Sequence, residues 1–336
     1  MSGNHAMTPL SAASRVLVTG ASGFIGAAVA RKLASRGYQL RLLLRDPARR
    51  PAGVPGECVA GDLRYPDSLH GIEDGVDAVV HAAGLLGRWG VAGAALWQVN
   101  AEAPVSLLAR FRSRGVLRFV HLSTCGVSGP LSRVPGDEST PCHPVTAYET
   151  AKLQGEESLL RCARLWQMPV VVVRPTWTYG PGDTQKWPLF RRVALGKFAY
   201  IGSGNNYLHP LYIDDAVAGI CAALEQGGNG EVYVWGGSAP VTVRDLVGAL
   251  ALALGQPAPT RQVPLWLARG VAPLLEGVAH VTAREPLLTR SRLLMFSADY
   301  AYDCRKAQQA WGLVPGVALA TGLQRTVADY RRRGWL

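Results

Sequence analysis

Residues 15–26 read RVLVTGASGFIG, and this stretch decides the fold of the first half of the chain. Its first five residues form an apolar run that indicates a buried strand ending at Gly20. A helical pattern follows over residues 24–36, so glycines at spacing G-x-x-G-x-x-G join a strand to a helix. Glycines let the backbone approach a pyrophosphate, and a helix N-terminus offers free N–H groups and a positive dipole end. The stretch therefore predicts a dinucleotide-binding turn.

Strands and helices alternate through the rest of this half. Further strands are predicted at residues 40–44, 57–60, 78–81, 119–122 and 170–173, and helices at 66–72, 94–113 and 147–166. Because parallel strands need crossover connections, this alternation predicts an α/β fold with a Rossmann-type, doubly wound, mostly parallel sheet. We assign residues 15–179 to this dinucleotide-binding domain, and the small and polar residues 1–14 to a flexible tail.

The order of elements changes after residue 179. Loop-rich stretches at residues 180–183 and 202–206 surround predicted helices at 189–195, 213–224, 243–254, 265–279 and 319–332. This pattern predicts a smaller, mostly helical substrate lobe over residues 180–336, interleaved with the sheet, to which it returns a strand at 232–235. We interpret the apolar residues 265–279 as a buried amphipathic helix. The wall of an apolar pocket and contact with a membrane surface are the alternatives.

Composition indicates a globular enzyme, since 48% of the 336 residues are hydrophobic and 18% are charged. The net charge is +11, but the arginines are scattered without an aromatic-interleaved stripe, so we expect no nucleic-acid partner. The six cysteines lie far apart and none has metal-ligand spacing, which favours a reducing cytoplasm and no metal site. No run reaches about 18 apolar residues, so no transmembrane helix is expected. A homodimer is left as an alternative to a monomer for the assembly of the chain.

A candidate proton-transfer pair, Tyr148-x-x-x-Lys152, stands at the start of the predicted helix over residues 147–166. A lysine four residues after a tyrosine lies on the same helical face, where it stabilises the phenolate. We therefore expect the pKa of Tyr148 to fall below its ordinary value of about 10. The position of the pair between the fifth and sixth strands, downstream of the glycine turn, predicts a general acid and base.

Together the glycine turn and the Tyr148/Lys152 pair resemble the extended short-chain dehydrogenase/reductase family, within the NAD-dependent epimerase/dehydratase superfamily. The resemblance covers essentially the whole chain and implies hydride transfer between a nicotinamide and a carbonyl or alcohol carbon. It implies these cofactor contacts: Gly20, Ser22, Gly23, Phe24, Ile25 and Gly26 at the pyrophosphate, Asp62 and Leu63 at the adenine, Ala82 and Ala83 at the ribose, and Tyr148, Lys152 and Pro175 at the nicotinamide.

The same resemblance implies two further catalytic residues. By the family's spacing, Thr124 supplies the hydroxyl that orients the substrate oxygen toward Tyr148, with Ser123 as the neighbouring candidate. Asn100 matches the asparagine that holds a water for the proton relay of Lys152. An asparagine at this position could instead cap or kink its helix.

The end of the second strand bears on the cofactor's ribose. NAD enzymes place an acid there, whereas NADP enzymes place an arginine nearby for the 2′-phosphate. By the family's spacing the acid position falls on Leu44, and Arg45 follows it directly. The sequence therefore favours NADP(H) over NAD(H), with Asp46 as the residue that could serve NAD(H).

The substrate is predicted from two replacements. Nucleotide-sugar members carry an asparagine where this chain has Trp177 and an arginine at or near Leu208, so donors that a diphosphate needs are missing. The chain is instead similar to 3β-hydroxysteroid dehydrogenase-like and dihydroflavonol-reductase-like members. That similarity implies a largely apolar ketone or secondary alcohol, steroid-like or polyketide-like. Leu86, Trp89 and Val127 are expected to extend the same apolar wall.

Two alternatives stay open at this point. Arg290 and Arg292 could serve an anion, which keeps a nucleotide-sugar epimerase or dehydratase in consideration. A non-catalytic NADP(H)-sensing protein is the alternative of another class, although such proteins usually lack the tyrosine and lysine that this chain retains.

Overall fold

One large sheet and three two-stranded sheets are present in the computed structural model, which describes residues 9–87, 90–282, 286 and 289–336. The strands are β1 Arg15–Thr19, β2 Gln39–Leu44, β3 Glu57–Ala60, β4 Ala78–His81, β5 Arg118–Leu122, β6 Val170–Pro175, β7 Trp177–Tyr179, β8 Tyr200–Ile201, β9 Tyr207–Leu208, β10 Pro210–Tyr212, β11 Val232–Trp235, β12 Val241–Thr242 and β13 Gln262–Val263. The large sheet has the order β11-β6-β5-β4-β1-β2-β3 with every neighbouring pair parallel, so the doubly wound fold is confirmed.

Both faces of this sheet are covered, which explains why its strands are apolar runs rather than alternating patterns. Val16 and Val18 of β1 belong to a core on one face, and Leu17 between them belongs to a core on the other. β11 comes from the second half of the chain and pairs with β6 at the edge of the sheet. The strand predicted at residues 232–235 therefore does return to the sheet.

The helices are α1 Phe24–Ser35, α2 Gly93–Trp97, α3 Ala103–Arg110, α4 Ala147–Trp166, α5 Trp187–Ala194, α6 Ile213–Gln226, α7 Val243–Leu254, α8 Leu265–Thr282, α9 Arg290–Met295, α10 Arg305–Trp311 and α11 Leu319–Arg332. The predictions for residues 147–166, 243–254 and 319–332 are confirmed to the residue. The helix predicted over residues 66–72 is wrong, because only a short 3-10 turn forms at Pro66–Leu69.

The single helix predicted over residues 94–113 is interrupted between α2 and α3 by a π-helical segment, Gln98–Glu102. Pro104 explains the interruption, because it has no N–H to donate to the carbonyl of Asn100 and its ring crowds that carbonyl. Asn100 thus lies at a break in regular helical hydrogen bonding that Pro104 explains, while its own side chain is bonded to Leu85.

The second half of the chain carries helices together with the short pairs β7–β10, β9–β12 and β8–β13. Within it, α8 is packed on one side only: Ala268 and Ala272 contact Leu293 of α9, whereas Trp266 and Leu274 are exposed. The interpretation of this segment as a buried helix is therefore wrong for its outer face. Among the described residues, no helix has the length and apolar character needed to cross a membrane.

Candidate active site

A cavity of about 480 Å³ opens at the carboxyl ends of the central strands, where ligand sites of open α/β sheets are found. It brings together residues from the glycine turn, from the loops after β4 and β5, from α4, and from the second half of the chain. Of the residues singled out in the sequence, Gly20, Gly23, Phe24, Ile25, Gly26, Ala82, Leu86, Thr124, Tyr148, Lys152, Pro175, Trp177 and Leu208 line this one cavity.

The glycine turn has the geometry of a cradle. Gly20 has a φ of +70°, and a Cβ built on it would lie 2.7 Å from the backbone of Ala83. Only glycine therefore lets the turn after β1 pack against the loop after β4. Gly23 is the N-cap of α1 and provides no capping side chain, so the first turn of α1 can present N–H groups to a ligand. Ser22 is exposed and does not line the cavity.

The predicted adenine contacts lie at the ends of β2 and β3, outside the lining of the cavity. The carboxylate of Asp62 accepts hydrogen bonds from Arg64 Nε at 3.1 Å and Nη2 at 2.6 Å. This pair lowers the pKa of Asp62, and the charge of Arg45 lowers it further. Leu63 is partly buried beside Asp62, and Arg45 is exposed. Arg64 was not predicted as a site residue from the sequence, although it stands two residues after Asp62.

Tyr148 lies in the first turn of α4, which a capping box holds in place. Thr146 Oγ1 accepts the N–H of Glu149 at 3.2 Å, and the Glu149 carboxylate accepts the N–H of Thr146 at 3.0 Å. Burial raises the pKa of Tyr148, and the Glu149 carboxylate adds to this effect. The expected lowering of this pKa is thus absent from the protein alone, because loss of hydration disfavours the phenolate.

Lys152 is 4% exposed, and its Nζ donates a 2.7 Å hydrogen bond to the carbonyl of Leu122 at the end of β5. Burial lowers the pKa of Lys152 to about 8, against an opposing effect of Glu156. Glu156 is itself engaged by Arg174 in a buried ion pair of 2.5 Å that joins α4 to β6. The Lys152 ammonium is therefore held by a hydrogen bond to a backbone carbonyl, and its pKa of about 8 lies close to neutral pH.

Asn100 is completely buried, and its side chain is occupied by the loop after β4. Leu85 donates its N–H to Asn100 Oδ1 at 3.0 Å, and Asn100 Nδ2 donates to the carbonyl of Leu85 at 2.8 Å. A Cβ built on Gly84 would lie 3.3 Å from Asn100 Oδ1 and 3.4 Å from Lys152 Nζ. Both side chains therefore meet at Gly84, whose missing Cβ leaves them room. A water relay through Asn100 stays a prediction.

Thr124 begins the 3-10 turn Cys125–Ser128 that follows β5. Its Oγ1 accepts the N–H of Gly126 at 3.1 Å, which fixes the oxygen and lets the hydroxyl proton point elsewhere. The hydroxyl of Ser123 is buried and has no hydrogen-bond partner among the described residues, although Ser123 also borders the cavity. Thr124 is the better placed donor because its oxygen is held in one position.

Two histidines lie under the site on neighbouring strands. His81 Nδ1 is 2.7 Å from Thr19 Oγ1, and the ring of His81 stacks on His121 with centroids 5.3 Å apart. Burial lowers the pKa of His81 to about 3 and that of His121 well below its ordinary value. Both rings are therefore neutral near pH 7.

The predicted substrate wall is brought together in part. Leu86, Trp177 and Leu208 line the cavity. Val127 does not, because its side chain is completely buried behind the 3-10 turn, so that expectation is wrong. Trp89 lies outside the described residues.

Several lining residues come from parts of the chain that sequence reasoning did not connect to the site: Lys186, His209, Leu294, Met295, Tyr300 and Tyr302. Lys186 is the cationic side chain in this group. Its Nζ lies 5.1 Å from the ring centroid of Trp177 and 3.9 Å from the Asp183 carboxylate, and burial lowers its pKa. The wall that was expected to be purely apolar thus contains a cation.

A metal centre finds no support in the part of the chain that the structure describes, where no three His, Cys, Asp or Glu residues cluster to hold an ion.

Comparison with known proteins adds the relationship of the chain. The sequence model of the NAD dependent epimerase/dehydratase family matches residues 16–236. The chain is 30% identical to a 2-alkyl-3-oxoalkanoate reductase of Stenotrophomonas maltophilia, over 94% of this chain and 99% of that protein. It is 28% identical to the 4-hydroxy-2-methyl-3-oxo-4-farnesyl-3,4-dihydroquinoline-1-oxide ketoreductase of Stigmatella aurantiaca, over 92% of this chain and 94% of that protein. The solved structure of DesIV, a dTDP-glucose 4,6-dehydratase of Streptomyces venezuelae with NAD and TYD bound, is similar with a TM-score of 0.78 at 28% identity, covering 96% of this chain and 98% of that one.

Proposed function

The chain belongs to the NAD-dependent epimerase/dehydratase family and is an oxidoreductase, and from this premise we propose that it is an NADP(H)-dependent ketoreductase for a largely apolar substrate. The observation that carries the proposal is one cavity lined by the glycine turn, by Thr124 and by the pair Tyr148 and Lys152. A cofactor cradle and a proton donor therefore open into the same space.

The glycine turn fits a dinucleotide, because a Cβ at Gly20 would fill the close approach that the turn makes to Ala83. When bound, the nicotinamide supplies or accepts the hydride. Pro175, at the end of β6, and Ala82, directly after β4, both line the cavity. They are the proposed neighbours of the nicotinamide and of its ribose, respectively. Gly23, at the N-terminus of α1, is proposed to face the pyrophosphate.

The protein's own residues then handle the proton. The hydroxyl of Thr124 donates a hydrogen bond to the substrate oxygen and orients that oxygen toward Tyr148. Tyr148 gives its proton to that oxygen as negative charge develops there, and takes it back in the oxidation direction. Lys152, held against the Leu122 carbonyl, stabilises the resulting phenolate by its charge. Burial raises the pKa of Tyr148, so the phenolate depends on a stabilising positive charge, and we propose that Lys152 supplies it.

The preference for NADP(H) is proposed from two guanidinium groups near the end of β2. Arg45 is exposed and close enough to Asp62 to lower its pKa, and Arg64 is bound to that same carboxylate. A 2′-phosphate placed between Arg45 and Arg64 would gain charge-assisted hydrogen bonds, whereas Leu44 has nothing to offer a ribose hydroxyl pair.

The apolar substrate is proposed from the wall formed by Leu86, Trp177 and Leu208 and closed by Tyr300 and Met295. Burying apolar surface contributes about 25 cal/mol per Å², so a chain or ring system could bind here without a charge clamp. Relatives that match nearly the whole chain are named as reductases of 3-oxo compounds with alkyl or farnesyl groups. We propose a ketone of this kind as the substrate class. We propose the cytoplasm as the location of the protein.

A nucleotide-sugar epimerase or dehydratase is the second candidate, and Lys186 favours it. The Lys186 ammonium lies over Trp177 inside the cavity, where it could meet an anion. DesIV, whose structure resembles this chain, is named for such a reaction. A single lysine beside Asp183 is a weak clamp for a diphosphate, which usually receives several donors.

The test is a turnover screen in which 3-oxo acids, their esters and steroid ketones are followed by NADPH absorbance. Nucleotide sugars are followed by chromatography of the sugar product, because epimerisation and dehydration consume no NADPH overall. The proposal predicts oxidation of NADPH with an apolar ketone and no conversion of UDP- or dTDP-sugars. Turnover of a nucleotide sugar would replace it with the second candidate. Cofactor binding without turnover of any of these would support an NADP(H)-sensing protein instead.

A further inference from the structure

Helix α8 presents an apolar stripe to solvent. Trp266, Leu274 and Val278 are 75%, 69% and 59% exposed. They are separated by eight and four residues, which places them on one helical face. The opposite face is the packed one, where Ala268 and Ala272 contact Leu293 of α9. Exposed large apolar residues scattered singly need no explanation, but a continuous stripe along one helix does.

Positive charge surrounds the beginning of this stripe. Arg269 is exposed one turn after Trp266, and the exposed Arg261 lies just before α8. The exposed Lys197 stands shortly before β8. Because β8 pairs with β13, which begins directly after Arg261, the chain near Lys197 approaches Arg261. An apolar face with Trp at one end and Lys or Arg along its edge is the pattern of helices that lie in a membrane interface.

The stripe is also connected to the active site through one packing layer. Leu293 is buried against α8, and the next two residues, Leu294 and Met295, line the catalytic cavity. A surface that holds α8 would therefore lie close to one wall of that cavity. An apolar molecule dissolved in such a surface would then lie close to that wall.

We propose that α8 docks the protein on the surface of an anionic lipid bilayer, with Trp266, Leu274 and Val278 at the boundary of headgroups and acyl chains. Arg261 and Arg269 face the anionic headgroups. The docking stands independently of the proposed function, and only the delivery of an apolar substrate from the bilayer rests on it.

Charge favours a bilayer over a second copy of the chain as the occupant of this face. Two copies of the chain each carry a net charge of +11, so their approach is opposed by electrostatic repulsion. An anionic bilayer instead attracts the chain, and the exposed Arg261 and Arg269 lie beside the apolar stripe.

The experiment is sedimentation of the full chain with vesicles of phosphatidylcholine alone and of equal parts phosphatidylcholine and phosphatidylglycerol. The wild type should partition onto the phosphatidylglycerol vesicles and lose this binding at high salt, since the electrostatic part is screened. The double variant Trp266→Ser/Leu274→Ser should bind about tenfold less, because both side chains leave the interface. Arg261→Gln/Arg269→Gln should bind phosphatidylglycerol vesicles no better than phosphatidylcholine vesicles.

The matched control is Leu252→Ser, because Leu252 is 81% exposed on α7, away from the stripe, and should leave vesicle binding unchanged. Melting temperatures with NADPH show that each variant is folded. Absence of wild-type binding, or equal binding by the wild type and the Trp266/Leu274 variant, overturns the proposal. So does a wild-type dimer in light scattering that the same variant converts to a monomer, since a second copy would then cover the face.

Discussion

Lys152 Nζ donates to the carbonyl oxygen of Leu122 across 2.7 Å, which ties the helix that carries the candidate acid to the end of β5. The chain continues from Leu122 through Ser123 to Thr124, whose hydroxyl opens into the same cavity. One strand end thus positions both Lys152 and Thr124, the hydroxyl proposed to orient the substrate. The helical spacing of Tyr148 and Lys152 places the tyrosine on the same helical face as the lysine. The position of the Lys152 ammonium is fixed by its hydrogen bond to the sheet.

Replacement of Tyr148 tests the proton transfer. Tyr148→Phe removes the hydroxyl and leaves the ring, so turnover should fall by about 10²–10⁴-fold, as is typical of lost general acid–base catalysis. NADPH affinity should stay nearly unchanged in titrations, because the glycine turn is untouched. Lys152→Met should reduce both turnover and NADPH affinity. A Tyr148→Phe enzyme with near-normal rates on an identified substrate would show that another group carries the proton.

The pKa of Lys152 predicts how stability depends on pH. Burial lowers this pKa from 10.5 to about 8, so between these values the unfolded chain binds a proton that the folded chain has released. The free energy of unfolding of the wild type, relative to Lys152→Met, should therefore rise as the pH increases from about 8 to 10.5 and be lowest below pH 8. Urea unfolding of both proteins across this range measures the difference. A constant difference would mean that Lys152 keeps an ordinary pKa in the folded protein.

The choice between NADPH and NADH depends on the two arginines near β2. Arg45→Ala should weaken NADPH binding about tenfold or more and leave NADH binding unchanged, since a charge-assisted hydrogen bond contributes about 1.5–3 kcal/mol. Arg64→Ala should also weaken NADPH binding, and it frees the Asp62 carboxylate that Arg64 now engages. Arg49→Ala is the matched control, as Arg49 is exposed in the following 3-10 turn. Equal affinities of the wild type for both cofactors would contradict the preference.

Gly84 tests the junction between Asn100 and Lys152. A Cβ at Gly84 would lie 3.3 Å from Asn100 Oδ1 and 3.4 Å from Lys152 Nζ, so Gly84→Ala should shift Asn100 by a few tenths of an ångström and bring a methyl group into contact with Lys152. We expect turnover to fall about tenfold while the protein stays folded, because small displacements at a reacting centre are costly. Gly93→Ala is the control, since nothing lies within 4 Å of a Cβ there. Unchanged turnover in Gly84→Ala would show that the junction does not position Lys152.

The local patterns of the site were predictable from sequence because each lies within one strand–turn–helix or one helical turn. The glycine turn at Gly20 and the first turn of α4 are of this kind, and both open into the cavity as expected. The raised pKa of Tyr148 was not predictable, because it depends on burial by elements far away in the chain. The same holds for Tyr300 and Lys186, which reach the site only through tertiary packing. Val127 was misplaced because a 3-10 turn, invisible in the residue pattern, turns its side chain inward.

The substrate prediction now depends on Lys186 as well as on the apolar wall. Trp177 and Leu208 line the cavity where a diphosphate would need donors. Among the lining residues that the structure describes, Lys186 over Trp177 favours an anion. The side chains of Arg290 and Arg292, the other predicted anion ligands, lie outside the described part of the chain. Each charge-assisted hydrogen bond that a diphosphate fails to make forgoes roughly 1.5–3 kcal/mol, so a single lysine shared with Asp183 cannot offset the missing donors.

We therefore expect UDP- and dTDP-sugars neither to bind at micromolar concentration nor to raise the melting temperature, whereas an apolar ketone should do both when NADPH is present. Lys186→Met keeps the apolar stem and removes the charge, so turnover of a neutral apolar ketone should be preserved. Lys197→Met, at an exposed position outside the cavity lining, is the control. Tight binding of a nucleotide sugar that Lys186→Met abolishes and Lys197→Met does not would overturn the ketoreductase proposal, because an anion clamp would then select the substrate.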